Sequence, residues 1–173
     1  SHRGAPRVVT PADDPRVTGD EALVHARRGV HTVVIGADRV AAARLAVEQG
    51  AEVVVCDDGL QHVRLARDYE IAVIDGARGL GNRWLLPAGP LREPARELES
   101  VHAVVVTERG GERRADFSVR SPLLLRAQFE LGDAVNLLTN ERRPLAGFAQ
   151  VSNLHAIAGI GHPEAFFRGL FES

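Results

Sequence analysis

Residues 32–62 read TVVIGADRVAAARLAVEQGAEVVVCDDGLQH, and this stretch predicts a strand, a helix and a second strand. The apolar runs Thr32–Ile35 and Val53–Cys56 are short and rich in Val, with little alternation of apolar and polar residues. Such runs are typical of parallel strands that are covered on both faces. Between them, Asp38–Gln49 has apolar residues at helical spacing, and Gly50 stands where a C-terminal cap belongs.

The same alternation of strand and helix continues on both sides of this stretch. Ile71–Ile74 and Ala103–Val106 are two further apolar runs, and Asp20–Arg28 has the pattern of a helix that ends at Gly29. Strands that alternate with helices indicate the α/β class, with a doubly wound, mostly parallel sheet and flanking helices. We assign residues 1–112 to this core.

The pattern changes after Gly110 and Gly111. We interpret residues 113–151 as a small β-strand extension or linker, and residues 152–173 as the start of a further βα unit. In that last unit, the apolar run Leu154–Ile160 precedes a helix that begins at Pro163, since proline favours the first helical position. The strands expected in the extension are Phe117–Val119, Leu123–Glu130 and Ala134–Leu138.

Composition and charge restrict the function classes. Apolar residues make up 45% of the 173 residues and charged residues 25%, which is typical of a globular protein. The net charge of −2 argues against a general nucleic-acid binder. Cys56 is the single cysteine, so an internal disulfide is excluded and a reducing compartment is the simple inference. No apolar run reaches the roughly 20 residues of a membrane span.

Asp57 and Asp58 follow directly after the predicted strand Val53–Cys56. In open α/β sheets, ligands bind beyond the carboxyl ends of the strands. Carboxylates at that edge can hold Mg²⁺ while the metal bridges nucleotide phosphates, as in a Walker B element. The structural alternative is a solvated turn or a helix cap, but the sequence Gly59-Leu60-Gln61-His62 that follows favours function.

Asp20 and Glu21 stand at the start of the predicted helix Asp20–Arg28, where we place Asp20 at the N-cap. Capping and the helix dipole alone would explain both carboxylates. The chemical alternative is that a carboxylate takes the proton of an acceptor hydroxyl as its oxygen attacks a phosphoryl group.

Gly76–Glu97 is a long connection that is rich in glycine and proline, and such connections are commonly binding loops. Asp75 ends the preceding strand, and the loop combines arginines with apolar residues. That mixture suits an amphiphile with a phosphate, whereas the structural alternative is a solvated loop with a hydrophobic anchor. The residues concerned are Arg78, Arg83 and Arg92 beside Leu80, Trp84, Leu85 and Leu86.

These motifs resemble the tetraacyldisaccharide 4'-kinases of lipid A synthesis, in family order and over roughly residues 15 to 170. The matching blocks are Gly19-Asp20-Glu21, Asp57-Asp58-Gly59-Leu60-Gln61-His62, Asp75-Gly76-x-Arg78-Gly79-x-Gly81-Asn82, Leu85-Leu86-Pro87-Ala88-Gly89-Pro90-Leu91-Arg92-Glu93-Pro94 and Ala158-Gly159-Ile160-Gly161-x-Pro163-Glu164-x-Phe166-Phe167.

The resemblance implies a P-loop-type kinase at the cytoplasmic face of the bacterial inner membrane. It implies that ATP, with Mg²⁺, phosphorylates the 4'-hydroxyl of a tetraacylated diglucosamine 1-phosphate. Carried over by motif, Asp20 is expected to be the base that deprotonates this hydroxyl, and Glu21, Asp57 and Asp58 are expected to be the metal-site acids. Residues expected to contact substrate or nucleotide are Arg39, Gln61, His62, Asp75, Arg78, Arg92 and Glu93.

One departure from the family pattern is clear: the chain has no lysine and no Gly-x-x-x-x-Gly-Lys-[Ser/Thr] loop, which the family carries upstream of Asp20. The family's amino-terminal membrane helix and its downstream Asp-His-His-type segment are also absent. We expect an excerpt of a complete kinase that does not turn over ATP by itself. The alternatives are a degenerate relative, a non-catalytic module that binds the lipid A precursor or a partner, and a Mg²⁺-dependent phosphohydrolase that uses Asp57 or Asp58.

Overall fold

A computed structural model of the chain describes residues 4–109, 118–160 and 163–172. The chain divides into two compact units, Ser1–Asp68 and Tyr69–Ser173. This boundary follows the loop after Asp57-Asp58. The three-part division at residues 112 and 151 stays a prediction.

The first unit combines a two-stranded sheet with three helices. Its strands β1 (Arg7–Val9) and β2 (Val33–Ile35) pair in antiparallel fashion, with Val8 opposite Val34. The helices are α1 (Pro15–Thr18), α2 (Asp20–Arg28) and α3 (Arg39–Glu48). The buried residues of this unit, one from β1 and the rest from the helices, are Val9, Thr18, Leu23, Ala26, Ala42 and Ala46.

Helices α2 and α3 confirm their predicted positions, and glycine explains where each one stops. Gly29 takes a left-handed φ of 66° after α2, and Gly50 takes a φ of 89° just beyond α3. Residues with a Cβ rarely adopt this conformation, so glycine is favoured at the end of a helix. Strand β2 forms at the predicted place, but the prediction of a parallel strand covered on both faces is wrong, because β2 pairs antiparallel with β1 and is half-buried. Strand β1 was not predicted from the sequence.

The predicted strand Val53–Cys56 is not formed, and neither is the predicted strand Leu154–Ile160. Val53 is 80% exposed, Val55 91% and Ile157 93%, although all three are apolar. A strand exists only when its backbone groups pair with a neighbour. Neither segment finds a pairing partner within the described part of the chain.

The second unit is built on a three-stranded parallel sheet. Strands β3 (Ile71–Asp75), β4 (Ala103–Arg109) and β5 (Leu124–Phe129) lie in the order β3-β4-β5, with Val73 beside Val105 and Val105 beside Leu125. One face of this sheet is buried through Ala72, Ile74, Val104 and Val106. The parallel sheet confirms the α/β class.

Strand β5 was expected in the β extension, but it pairs with β4 and so belongs to the parallel sheet. The predicted strand Ala134–Leu138 shortens to β6 (Ala134–Val135), which pairs antiparallel with β7 (Arg142–Arg143). Helix α4 (Pro163–Glu172) begins at the predicted proline. Phe117 and Gly161 lie outside the described residues, and Ser118 and Val119 are not in a strand. Two 3₁₀ turns, Ala95–Glu99 and Leu145–Phe148, complete the unit.

Within the described residues, every helix is too short or too polar to cross a lipid bilayer.

Candidate active site

The catalytic candidate Asp20 is the first residue of α2, and Gly19, not Asp20, is the N-cap. Gly19 has φ 85° and ψ 150°, a conformation that is essentially restricted to glycine. Asp20 therefore does not occupy the predicted capping position, and its role as a base stays a prediction. The Asp20 carboxylate instead accepts one hydrogen bond, from the Glu21 N–H at 3.0 Å, and both side chains are exposed.

The Asp57-Asp58 pair lies in a compact loop rather than at the end of a strand. Asp58 has a left-handed φ of 50°, which Asp and Asn tolerate better than other residues with a side chain. A Cβ on Gly59 would lie 3.1 Å from the Cys56 Cβ, so the chain passes itself closely here. The His62 N–H donates to the Gly59 carbonyl at 3.0 Å. The exposed side chains of this loop are those of Asp57, Asp58, Gln61 and His62.

Arg67 organises this loop, a role that was not predicted from the sequence. One nitrogen of its guanidinium donates to the carbonyl oxygens of Gly59 at 3.2 Å and His62 at 3.0 Å, and more distantly to that of Leu65 at 3.4 Å. Bonds from a charged donor are stronger than neutral ones. The only sequence signal was an arginine a few residues after an acidic motif, and nothing local distinguishes it from a surface arginine.

We expect Arg67→Ala to lower the free energy of unfolding by about 1–3 kcal/mol, because carbonyls of the loop lose a charged donor. Arg67→Lys should recover part of the loss, since its ammonium is also a charged donor but stands on a shorter side chain. Urea unfolding of the three proteins measures the difference. Arg64→Ala is the matched control, because Arg64 is exposed and lies in the same loop. Equal losses for Arg64→Ala and Arg67→Ala would contradict the role of Arg67.

Arg39 is the first residue of α3, where it is half-buried, and Asp38 fixes its position as the N-cap. The Asp38 carboxylate accepts from the N–H groups of Val40 at 2.9 Å and Ala41 at 3.1 Å. The bond from Ala41 contributes most to lowering the pKa of Asp38 below its ordinary value of 3.8, and desolvation opposes it. Arg39 is therefore the first residue of a helix whose N-terminus is capped by the Asp38 side chain.

Because the pKa of Asp38 is lower in the folded chain, its carboxylate stabilises the fold above pH 3.8. This stabilisation is lost as the pH falls through the folded-state pKa. We expect Asp38→Ala to lower the midpoint of thermal unfolding at pH 7. The difference in midpoint between this variant and the unaltered chain should become smaller below about pH 3.8. Asp38→Asn is the matched control, since Asn caps without titrating and its midpoint should stay near that of the unaltered chain at pH 7. If the difference in midpoint between Asp38→Ala and the unaltered chain stays constant down to pH 2, the ionised Asp38 carboxylate does not stabilise the fold.

In the second unit, Asp75 ends β3 as predicted and closes the turn that follows. Its carboxylate accepts from the N–H groups of Ala77 at 2.9 Å and Arg78 at 3.3 Å. A Cβ on Gly76 would lie 2.6 Å from the Thr107 carbonyl oxygen, so glycine is required where the chain leaves the sheet. Asp75 is half-buried and Arg78 is exposed. Asp75 thus has a structural role in the turn, and a ligand role stays a prediction.

The loop that carries Arg92 and Glu93 closes on itself. Leu85 and Leu91 form an isolated parallel bridge, and the Leu86-Pro87 peptide bond is cis. Arg92 is exposed and Glu93 half-buried. The hydrogen bonds that hold the loop run from Leu86 N–H to Leu91 O at 2.9 Å, from Leu91 N–H to Trp84 O at 3.1 Å, from Gly89 N–H to Leu85 O at 3.0 Å and from the Asn82 amide to Ala88 O at 2.9 Å.

The candidate residues divide between the two units. Asp20, Glu21, Arg39 and the Asp57–His62 loop belong to the first, and Asp75, Arg78, Arg92 and Glu93 belong to the second. Among residues 4–109, 118–160 and 163–172, no three His, Cys, Asp or Glu side chains form a group that could hold a metal. Within the described residues Glu21, Asp57 and Asp58 do not form such a group, and their role as metal-site acids stays a prediction. Mg²⁺ usually needs only one or two carboxylates besides phosphate oxygens and water, and the exposed Asp57 and Asp58 fit that requirement.

Comparison with known proteins gives a consistent result. The family described as Tetraacyldisaccharide-1-P 4'-kinase (LpxK) matches residues 1–173. A tetraacyldisaccharide 4'-kinase of Pseudomonas paraeruginosa is 46% identical over 165 residues, which cover 94% of this chain and 47% of the relative. The one of Chromobacterium violaceum is 49% identical over 168 residues, covering 94% of this chain and 48% of the relative. The tetraacyldisaccharide 4'-kinase of Alkalilimnicola ehrlichii is 45% identical over 166 residues, which cover 95% of this chain and 47% of the relative.

The chain spans about half the length of the curated relatives it matches. No solved structure matches it. The match over all 173 residues and the identities of 45–49% agree with the motifs quoted above. The chain therefore belongs to the tetraacyldisaccharide-1-P 4'-kinase family.

Proposed function

We propose that the protein containing this chain transfers the γ-phosphate of ATP to the 4'-hydroxyl of a tetraacyldisaccharide 1-phosphate, a step in lipid A synthesis. The observation that carries the proposal is the similarity to relatives named tetraacyldisaccharide 4'-kinase over 94% of the chain. The acidic motifs that the chemistry needs are present, and their carboxylates at Asp20, Asp57 and Asp58 are exposed. Lipid substrate and ATP are thus the proposed partners.

In this proposal Asp20 is the general base. Its carboxylate takes the proton of the 4'-hydroxyl as that oxygen attacks the γ-phosphorus, and the bond from the γ-phosphorus to the bridging oxygen breaks to release ADP. A rigid position matters for such a group, because misplacement of a reacting atom by about 1 Å can cost 10²-fold in rate. In support of the proposal, Asp20 is the first residue of α2, so its backbone is part of the helix.

Asp57 and Asp58 are the proposed Mg²⁺ ligands, with Glu21 nearby in the complete site as a further acid. When bound, the metal would neutralise charge on the nucleotide phosphates. Arg67 keeps the loop that presents the two carboxylates in one shape. Residues proposed to contact nucleotide or lipid are Arg39, Gln61, His62, Asp75, Arg78, Arg92 and Glu93.

The family also suggests the wider setting. We propose that the parallel sheet is part of a P-loop-kinase-like fold, and that the complete protein works at the cytoplasmic face of the inner membrane. The phosphate-binding loop with its lysine would come from sequence outside this chain, because the chain has no lysine. We expect the 173 residues alone to lack turnover, since the groups that bind the β- and γ-phosphates are required for the transition state.

An assay of the complete protein separates kinase from phosphohydrolase activity. With lipid, ATP and Mg²⁺, we expect one ADP for each phosphorylated lipid, and no phosphate release from simple phosphate esters without ATP. Phosphate release without nucleotide would favour the phosphohydrolase and contradict the proposal. Lipid binding with no ADP formed would favour the non-catalytic module.

A further inference from the structure

Two histidines of the first unit meet where helix α2 ends. The rings of His25 and His31 have their centroids 5.7 Å apart, with an angle of 50° between the ring planes, and both residues are exposed. On a continuous helix the neighbours are three or four positions apart, so two residues at this wider spacing would not face each other. The pair therefore forms because α2 stops between the two histidines, at Arg28.

Regular structure holds the backbone on both sides of the pair. His25 lies in the last turn of α2, a helix that buries Leu23 and Ala26. Gly29 ends this helix in a left-handed conformation, and its N–H donates to the Ala26 carbonyl at 3.1 Å. His31 precedes β2 by two residues, and β2 pairs with β1. Because both histidines stand next to fixed elements, a ligand that joins their rings needs little further ordering of the backbone.

The chemistry of two neighbouring imidazoles suits a divalent transition metal such as Zn²⁺. A Zn–N bond is about 2.0–2.1 Å long, so two imidazoles on one ion hold their bonding nitrogens at most roughly 4 Å apart. Rings with centroids 5.7 Å apart can turn two nitrogens to that separation by side-chain rotation. The partial negative charge at the C-terminal end of a helix also favours a cation there. Arg27 and Arg28 in the same turn oppose this, but both are exposed and solvent screens their charge.

We propose that His25 and His31 together bind one Zn²⁺ ion, with water in the remaining coordination positions. Within the described part of the chain, no group of three His, Cys, Asp or Glu side chains could hold a metal, so the protein supplies two ligands at this site. The bound ion joins the end of α2 to the segment before β2 and thereby stabilises the first unit. This binding goes beyond the proposed kinase activity, because it needs neither nucleotide nor lipid and uses nitrogen ligands, whereas Mg²⁺ prefers oxygen.

Isothermal titration of the complete protein with ZnCl₂, without nucleotide, measures the number of ions bound and their affinity. His25→Gln and His31→Gln should each weaken binding at this site at least about tenfold, since the loss of an outer-shell partner alone costs about 10–100-fold in metal affinity. The double variant should bind one Zn²⁺ ion fewer than the unaltered protein. Zn²⁺ should also raise the midpoint of thermal unfolding more in the unaltered protein than in the double variant, because a ligand of the folded state stabilises it by mass action.

His155→Gln is the matched control, since His155 is an exposed histidine of the second unit, and this variant should bind Zn²⁺ like the unaltered protein. Without metal, all variants should unfold at the same midpoint, which shows that the exposed substitutions leave the fold intact. Equal numbers of ions and equal affinities in the double variant and the unaltered protein would overturn the proposal, as would an equal loss in His155→Gln. A loss in only one of the two single variants would also overturn it, because a single histidine would then be the ligand.

Discussion

Asp20→Asn in the complete protein is expected to lower kcat by about 10²–10⁴-fold, the usual contribution of a general base. The amide has nearly the same size and can still accept the hydrogen bond from the Glu21 N–H. It cannot take a proton from the lipid hydroxyl. We therefore expect little change in the KM for ATP and little change in folding. Steady-state kinetics and thermal unfolding of the purified variant measure both.

The matched control for Asp20 is Glu164→Gln, which also removes an acidic charge from the first turn of a helix, in this case α4. A charge at that position stabilises a helix by about 0.3–1 kcal/mol. Both variants should lose this small amount of folding free energy, whereas only Asp20→Asn should lose the kinase activity. If the two variants keep the same kcat, Asp20 has only a structural role and the proposed base is wrong.

Asp58→Asn is expected to lower kcat/KM by about 10²–10³-fold, as removal of one preorganised electrostatic group usually does. Asn tolerates the left-handed φ of 50° at this position, so the loop should keep its shape. The loss should diminish as the Mg²⁺ concentration is raised, because a weakened metal site can be filled by mass action. The loss in Asp20→Asn should not respond to Mg²⁺. Activity measured against Mg²⁺ concentration distinguishes the two roles.

Asp68→Asn is the control for this second prediction. Asp68 is also exposed and follows the same loop, but it lies beyond Arg67 and outside the acidic motif. It should keep its activity and its Mg²⁺ dependence. A Mg²⁺ requirement in Asp58→Asn that equals that of the unaltered protein would contradict metal binding by Asp58.

The parts of the fold that depend on local sequence could be predicted. Helix α2 has acidic residues in its first turn and ends at Gly29. Helix α3 begins after its N-cap Asp38 and ends just before Gly50. Helix α4 begins at Pro163 for the same kind of local reason. Such signals act within a few residues and do not depend on the rest of the chain.

The parts that depend on distant partners could not be predicted. Val53–Cys56 has the composition of a buried strand, yet a strand needs a neighbour that composition does not name. A strand was predicted at the position of β5, but its pairing with β4 could not be derived from its own residues. Strand β1 has only three residues, too few for a periodic pattern.

The candidate site shows the same limit. The acidic motifs were visible because several unusual residues stand together in the sequence. The role of Arg67 was hidden because its bonds go to backbone carbonyls, which every residue has. Asp75 shows the reverse case: it is conspicuous as the acidic residue that ends β3, but its carboxylate already accepts hydrogen bonds from two N–H groups of the turn.

The position of the transferred phosphate tests the proposed 4'-kinase activity most directly. The complete protein is incubated with tetraacyldisaccharide 1-phosphate, Mg²⁺ and ATP labelled in the γ-phosphate, and the lipid product is analysed by ³¹P NMR and mass spectrometry. We expect a new monophosphate ester at the 4'-oxygen that contains the label, with the 1-phosphate unchanged. A product without the label, or no phosphorylated product from a folded protein with Asp20 and Asp58 intact, would contradict it.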